Sequence, residues 1–364
     1  MNGLIKLHEM GQSLWLDNIS RAMLDDGTLA RYREELAVTG LTSNPTIYQH
    51  ALAAGALYDD AIAAATGLSG EALFFSLALD DLRRAADLFH PDFEASNGVD
   101  GWVSLEVSPL LANDTAATIR AAAELHAQAA RSNLFIKIPG TPAGLPAIEE
   151  SVFAGVPINV TLLFSREQYL AASEAYLRAI ERRIAVGLNP VVASVASLFV
   201  SRWDVAVAGK TPAALRNRLG IAVARQTYRA YRELLASPRW RHMAEAGARP
   251  QRLLWASTGT KDPEASDVLY LEALAAPNTV NTIPDKTLLA FADHGVVSGS
   301  MPADGGDADN TMAAFSAAGI DLAALAQQLQ REGTESFSKS WNALFGALEA
   351  KRAALKLGGA ADAP

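Results

Sequence analysis

Eight short apolar runs, separated by longer amphipathic segments, constrain the fold of this chain most strongly. Segments such as 71–90, 114–132 and 165–184 carry apolar residues at three- and four-residue spacing, which predicts helices, with Asp114 and Ser165 as N-caps. Parallel strands need crossover connections and read as nearly continuous apolar runs. We therefore predict an α/β fold, a closed (β/α)8 TIM barrel with additional helices, whose strands lie at residues 13–17, 38–43, 101–107, 133–138, 156–162, 189–197, 251–258 and 277–282.

The chain is longer than a minimal barrel, which typically needs about 250 residues. The surplus falls in helical segments, and no long linker divides the sequence. We predict one domain over residues 1–350, with helical insertions near 45–90 and 210–247. The small-residue end of the chain, residues 351–364, is expected to be disordered.

Charge and composition exclude several classes of function. The net charge of −9 disfavours nucleic acid as a partner, although a small phosphorylated substrate needs only one or two local cations. The absence of cysteine excludes disulfides and thiolate chemistry, and the six histidines show no metal-ligand spacing, so we expect no metal. No apolar run is long enough for a membrane span and no secretory signal is seen, which predicts a cytoplasmic protein.

Polar residues stand near the carboxyl ends of several predicted strands. Active sites of barrels of this kind lie at the carboxyl ends of the strands, so side chains of similar depth would meet in the barrel mouth. Asn159 and Thr161 are two residues apart and share one strand face. The full set is Asp17, Glu106, Lys137, Asn159, Thr161 and Ser197.

The lysine in NLFIKIPGT has the most unusual setting. Alternation along the strand puts Leu134 and Ile136 on one face, under helices, and Phe135 and Lys137 on the other, inside the barrel. Burial disfavours a charged ammonium, and a neutral amine can attack a ketone to form an imine. The alternative is a strand-end lysine whose head reaches water while its stem covers apolar surface. The nearby carboxylates of other strands favour the catalytic interpretation.

Six motifs in this order give the chain a family resemblance. GLTSNPTIY, SLEVSP, LFIKIPGT, INVTLLFS, ASVASLFVSRWD and LLWASTGTKDP together resemble transaldolase, from about residue 10 to residue 345. The resemblance is closest to the longer bacterial transaldolases, whose relatives are sometimes fused to glucose-6-phosphate isomerase. It implies a class I, Schiff-base mechanism that needs neither metal nor cofactor.

The resemblance also implies catalytic roles for four residues. Lys137 would form the imine, and Asp17 would deprotonate the C4 hydroxyl during retro-aldol cleavage. Glu106 would act through a catalytic water that Thr161 helps to hold.

Substrate-binding roles follow from the same motifs. Asn44 and Asn159 would hydrogen-bond the dihydroxyacetone unit, and Ser197 would contact substrate hydroxyls. Arg202 would bind the sugar phosphate.

One position departs from the family pattern. Shorter transaldolases carry a second phosphate-binding arginine two residues after the serine of the seventh strand. Here that serine is Ser257, the position holds Gly259, and Lys261 is the candidate for the missing cation. Lysine binds phosphate as a point charge and lacks the planar fork of arginine.

The implied activity belongs to the non-oxidative pentose phosphate pathway. A dihydroxyacetone unit would pass from sedoheptulose 7-phosphate to glyceraldehyde 3-phosphate, giving erythrose 4-phosphate and fructose 6-phosphate. Two alternatives stay open: an aldolase of the same fold that releases free dihydroxyacetone, and a non-catalytic barrel that binds sugar phosphates. A homodimer through the outer helices is possible, with 210–247 as a candidate surface, but the sequence does not choose between monomer and dimer.

Overall fold

The computed structural model describes the backbone of residues 2–361 and the side chains of residues 2–355. Eight parallel strands close into one barrel, each paired with its neighbours in chain order and the last with the first. This confirms the predicted barrel. The strands are β1 Ser13–Leu16, β2 Val38–Thr42, β3 Val103–Glu106, β4 Leu134–Pro139, β5 Ile158–Leu163, β6 Ser194–Phe199, β7 Arg252–Ala256 and β8 Val280–Ile283.

Sixteen α-helices are described, mostly on the outside of the barrel, together with short 3-10 helices at Pro109–Leu111 and Ala213–Leu215. The α-helices are α1 Gly3–Glu9, α2 Arg21–Asp25, α3 Thr28–Leu36, α4 Pro45–Ala53, α5 Asp59–Ala64, α6 Gly70–Ala95, α7 Thr115–Ala129, α8 Gly144–Phe153, α9 Arg166–Ala185, α10 Ser201–Val207, α11 Leu219–Ala236, α12 Pro238–Glu245, α13 Leu269–Ala273, α14 Asp285–His294, α15 Ala308–Ala317 and α16 Leu322–Ala361.

Both predicted N-caps are confirmed. The side chain of Asp114 accepts a hydrogen bond from the Ala117 amide at 2.9 Å, and that of Ser165 accepts one from the Gln168 amide at 3.2 Å. Each bond satisfies one of the amides that the first turn of a helix leaves without a partner.

The sixth strand begins later than predicted. Residues 189–193 precede it, and β6 runs from Ser194 to Phe199. Pro190 has no amide hydrogen to give to a strand ladder, and the Asn189 side chain accepts from the Val191 amide at 2.9 Å, which makes a local turn.

Aromatic side chains fill the lower part of the barrel interior. The rings of Trp102 and Phe135 stack with centroids 4.0 Å apart, and Trp15 lies 6.0 Å from Phe135. Gly40 is needed beside them, because a Cβ there would lie 2.4 Å from the Trp102 carbonyl oxygen. This apolar layer closes the barrel beneath the polar residues at its carboxyl end.

The end of the chain is helical where disorder was predicted. Helix α16 continues through Ala361, and Lys351 is anchored by a 2.8 Å ion pair to Asp59 and a 3.2 Å hydrogen bond to the Leu52 carbonyl. The prediction of a disordered tail from residue 351 is therefore wrong for residues 351–361, and residues 362–364 lie outside the described residues.

Helix α16 also packs on the first insertion. The Thr46 hydroxyl in α4 donates to the Ser340 hydroxyl in α16 at 2.8 Å. Among residues 2–361, no helix is long and apolar enough to cross a membrane.

Candidate active site

Adjacent strands place three polar side chains at one level of the barrel. Glu106 on β3 is in register with Lys137 on β4, and Lys137 is in register with Asn159 on β5. Asp17 follows β1 directly, with its amide bonded to the Ile283 carbonyl at 2.9 Å. The barrel therefore brings the predicted lysine and both predicted carboxylates to its carboxyl end.

The amine of Lys137 lies inside the barrel, away from bulk water. The residue is 6% exposed, which excludes the snorkelling alternative. Its Nζ donates to the Ser43 carbonyl at 3.0 Å and lies 3.2 Å from Oε2 of Glu106.

Glu106 is a buried carboxyl beneath the amine. Burial raises the pKa of Glu106, and the charge of Asp17 raises it further, while the ion pair with Lys137 opposes both. Within the described part of the chain, Oε2 has no well-aligned hydrogen-bond donor. Beside its ion pair with Lys137, this oxygen keeps a lone pair that can accept a hydrogen bond from a water.

Asp17 interacts electrostatically with Lys137 and lines the cavity described below. Burial raises the pKa of Asp17, and the positive charge of Lys137, a hydrogen bond from Thr42 and the charge of Lys261 oppose that rise. The Thr42 hydroxyl donates to Oδ1 of Asp17 at 3.0 Å, which fixes the orientation of the carboxyl group. A carboxyl with a raised pKa is suited to proton transfer.

A cavity of about 310 Å³ opens above the lysine at the carboxyl end of the barrel. Its wall includes eight of the ten predicted site residues: Asp17, Asn44, Lys137, Thr161, Ser197, Arg202, Ser257 and Lys261. A cavity of this size fits a small sugar phosphate better than a macromolecule.

The two remaining predicted residues lie behind the cavity wall. Asn159 is fully buried, its amide donating to the Ser104 hydroxyl at 3.2 Å and its carbonyl accepting from Ser197 at 2.7 Å. Glu106 is likewise absent from the wall. In this arrangement neither side chain faces the cavity, although each contacts a residue that does.

Thr161 lines the cavity and has a hydroxyl without a protein partner. Its Oγ1 is buried and makes no hydrogen bond to any of the residues described. Buried hydroxyls are nearly always bonded, so this group is a candidate contact for a water or a substrate.

Two cations stand at the outer part of the cavity. Arg202, at the start of α10, has its guanidinium carbon 5.6 Å from the centre of the Phe199 ring, and burial lowers the pKa of Arg202. A Cβ at Gly259 would lie 3.7 Å from Nζ of Lys261. Across residues 2–355, neither cation has a carboxylate within ion-pair distance, so both can receive a phosphate.

Ser257 lines the same cavity and has a constrained backbone. Its φ is +57°, a value uncommon for residues other than glycine, and its hydroxyl lies 2.8 Å from that of Ser201. Strained backbone of this kind is often found at active sites, where it helps to hold a side chain in one orientation.

Sequence reasoning missed several residues that shape the cavity. Thr42 and the Ser43 carbonyl lie inside a quoted motif but were not singled out, although both contact catalytic candidates. His50 and Phe337 also line the cavity. Phe337 comes from α16, and no sequence pattern indicates where that helix packs.

A second cavity lies at the other end of the barrel. It measures about 870 Å³ and is lined by residues that start strands, including Ser13, Ser194 and Arg252. It contains none of the predicted site residues, and in such barrels that end usually contributes stability. In the described residues no three His, Asp or Glu side chains come close enough to hold a metal ion.

A parallel barrel with a buried lysine that pairs with one carboxylate and interacts electrostatically with a second has the layout of a class I aldolase-type enzyme. The sequence matches the family described as Transaldolase/Fructose-6-phosphate aldolase over residues 14–348. The chain therefore belongs to this family, and it is an enzyme of the transaldolase type.

Curated relatives match along almost the whole chain. A transaldolase of Parafrankia sp. is 44% identical over 354 residues, covering 94% of this chain and 96% of its own. A transaldolase of Mycolicibacterium smegmatis is 44% identical over 364 residues, covering 97% and 98%. Transaldolase 2 of Nostoc sp. is 40% identical over 372 residues, covering 96% and 98%.

Proposed function

We propose that Lys137 forms a Schiff base with a ketose phosphate. The observation that carries the proposal is the position of its amine, at the cavity floor and 3.2 Å from Glu106. The amine adds to the ketone carbon and water then leaves, giving an imine between Nζ and the former carbonyl carbon. The imine accepts the electron pair released when the adjacent carbon–carbon bond breaks.

Asp17 is the proposed base for that cleavage. It removes the proton of the C4 hydroxyl, the C3–C4 bond breaks, and the aldose phosphate leaves while the dihydroxyacetone unit stays on Lys137 as an enamine. The raised pKa of Asp17 and its place in the cavity wall support this role. Addition of a second aldose reverses these steps, and Asp17 returns the proton.

Glu106 is proposed to act through water. Its carboxyl lies behind the wall and touches Nζ, so its reach to the substrate oxygen runs through a bridging molecule. A carboxyl of raised pKa can give a proton to the departing hydroxyl and recover it on hydrolysis. The unpartnered hydroxyl of Thr161 is the proposed second holder of this water.

The dihydroxyacetone unit is proposed to bond Asn44, Ser197 and Asn159. The first two line the cavity. Asn159 reaches the unit by exchanging its bond to Ser104 or Ser197 for one to a substrate hydroxyl.

The phosphate is proposed to lie between Arg202 and Lys261, beside Ser257. All three line the outer part of the same cavity as Lys137. Lys261 thus supplies the charge that shorter relatives take from an arginine.

We propose sedoheptulose 7-phosphate and glyceraldehyde 3-phosphate as the physiological donor and acceptor. Small sugar phosphates, and not nucleic acids, are the expected partners of an acidic chain whose candidate cavity is lined by two cations, Arg202 and Lys261. A cytoplasmic location is proposed with them, because charged sugar phosphates do not cross membranes freely.

A homodimer is a further proposal. Three large apolar side chains, Val186, Leu188 and Val191, are 63%, 45% and 42% exposed within one segment before β6, which supports a contact surface there. Sedimentation velocity tests it: a homodimer sediments at twice the chain mass over a range of concentrations, and a monomer at every concentration contradicts the proposal.

Product analysis distinguishes transfer from simple cleavage. Fructose 6-phosphate is supplied with and without erythrose 4-phosphate, and the products are identified by mass spectrometry. A transaldolase makes sedoheptulose 7-phosphate only with the acceptor and releases little free dihydroxyacetone without it. Rapid release of dihydroxyacetone without acceptor would identify the aldolase alternative. Sugar phosphate binding without any turnover would identify the non-catalytic one.

A further inference from the structure

The C-terminal helix joins the ends of the two strands that carry Lys137 and Thr161. The side-chain nitrogen of Gln330 in α16 donates to the Gly140 carbonyl at 3.0 Å and to the Leu162 carbonyl at 2.9 Å. A glutamine amide has two hydrogens, so this contact uses both. Gly140 comes directly after β4, and Leu162 lies near the end of β5.

The backbone at this point is already closely paired. The Gly140 amide donates to the Thr161 carbonyl at 2.8 Å, and Pro139 is in register with Thr161. Gln330 therefore bonds the Gly140 and Leu162 carbonyls, one residue beyond the last register pair of the two strands, Pro139 and Thr161.

Leu162 has a backbone conformation that needs support. Its φ is +60°, although the residue is a fully buried leucine, and the pairing of β5 with β6 is irregular between Val160 and Leu163. Bulges of this kind change the direction of neighbouring side chains and often occur beside active sites. A left-handed leucine persists only where its surroundings impose it.

Two features of α16 impose this conformation. Gln330 bonds the Leu162 carbonyl, and Gly333 lets the helix approach, since a Cβ there would lie 2.9 Å from Cδ2 of Leu162. The neighbouring Thr161 lines the cavity, and its buried hydroxyl has no hydrogen-bond partner among the described residues. The direction of that hydroxyl therefore depends on a bulge that α16 holds in place.

We propose that Gln330 is a positioning residue for catalysis: by clamping the Gly140 and Leu162 carbonyls, it aims the Thr161 hydroxyl at the water used in imine chemistry. This inference rests on the role of Thr161 in the proposed function. Gln330 is absent from the cavity wall, so its loss should lower the rate and leave substrate affinity unchanged. Imine formation is the step affected.

The test compares Gln330→Leu with Gln328→Leu. Gln328 lies on the exposed side of the same helix, and its side-chain nitrogen bonds only Glu332 in the described structure. Gln328→Leu therefore makes the same substitution at a position that does not bond the strands. The rate of borohydride-trappable adduct formation at Lys137 is measured with fructose 6-phosphate, beside steady-state kcat and KM. Gln330→Glu is a nearly isosteric second variant, whose ionised carboxylate cannot donate to either carbonyl.

The expected result is a loss of adduct formation and kcat of about tenfold to a hundredfold in Gln330→Leu, with KM unchanged, because small misplacements of catalytic groups have effects of this size. Gln328→Leu should match the wild type. Gln330→Glu should be slow at neutral pH and recover on acidification, as its protonated form can donate one hydrogen bond.

Double variants test whether Gln330 acts through Thr161. Thr161→Ala combined with Gln330→Leu should be no slower than Thr161→Ala alone, because residues that share one function are not additive. Multiplying effects, or a folded Gln330→Leu protein that forms the adduct at the wild-type rate, would overturn the role of Gln330 while leaving the Schiff base intact. A wild-type protein that forms no adduct at Lys137 would overturn the proposed function itself, and the role of Gln330 with it.

Discussion

Asp17, the proposed base, illustrates how a residue placed for catalysis can work against stability. Because burial raises the pKa of Asp17, its ionised form disfavours the folded state at every pH above that raised value. We expect Asp17→Asn to abolish turnover and to increase the free energy of unfolding by about 1 kcal/mol near neutral pH, a usual size for one substitution. The gain should shrink as the pH falls through the raised pKa, where the wild-type carboxyl becomes protonated.

Urea unfolding at about pH 7.5 and about pH 5 measures this difference between the two proteins. Glu35→Gln, at an exposed position on α3, is the control and should show little change at either pH. A less stable Asp17→Asn protein near pH 7.5 would mean that attraction to Lys137 outweighs the cost of burial, contrary to this prediction.

Substitutions at Lys261 test the proposed binding of the substrate phosphate. Lys261→Met should raise KM for sugar phosphates about tenfold or more, because it removes one of two cations at the outer part of the cavity. Lys261→Arg should retain KM within a few-fold, since the positive charge is kept. Inorganic phosphate should inhibit the wild type more strongly than the methionine variant.

Lys210→Met provides the matched control. Lys210 is exposed, its amine bonds the Ala206 carbonyl, and it is not part of the cavity wall. If Lys261→Met keeps the wild-type KM, the phosphate is held elsewhere and the assignment is wrong.

At the residue scale, alternation along a strand carries most of the predictive information. It identified the interior position of Lys137, which the structure confirms through the Glu106 and Ser43 contacts. It could not indicate that the Asn159 side chain is hydrogen-bonded to Ser104 and Ser197, because those hydrogen bonds depend on the spacing of three separate strands.

At the element scale, strand pattern was predictable and helix docking was not. Eight apolar runs gave all eight strands, with the main error at β6, where Pro190 and an Asn189 turn delay its start. Residues 45–90 form α4, α5 and most of α6. The contribution of helix α16 to the cavity was not predicted, because the amphipathic spacing of a helix does not indicate which surface the helix packs against.

Alanine substitutions at Gly333 and Gly346 test whether α16 must pack closely against the barrel at Gly333. Alanine favours a helix interior over glycine by about 0.5–1 kcal/mol. Gly346 has open space around it, so Gly346→Ala should gain roughly that amount. At Gly333 a new Cβ would lie 2.9 Å from the buried Leu162 side chain, so Gly333→Ala should lose the gain and slow catalysis.

Thermal unfolding and kcat of both glycine variants provide the comparison. Equal stabilisation of the two, with full activity in each, would show that α16 does not constrain the bulge at Leu162. Smaller stabilisation and lower kcat for Gly333→Ala alone is the expected outcome.

At the scale of the whole molecule, barrel closure makes the site from distant segments. Asp17 after the first strand, Lys137 on the fourth and Lys261 after the seventh line one cavity because the last strand pairs with the first. The parallel barrel was predictable from the regular alternation of strands and helices. The extended end of α16 was not, because the anchoring of Lys351 to α4 and α5 depends on contacts far apart in sequence.

The central claim is that Lys137 holds the transferred unit covalently, and borohydride trapping tests it most directly. The protein is incubated with fructose 6-phosphate, reduced, digested and mapped by mass spectrometry, with Lys137→Met as the control. A reduced three-carbon adduct on Lys137, missing from the control, is the predicted result. Folded wild-type protein without an adduct at Lys137, under ample donor, would contradict the Schiff-base mechanism.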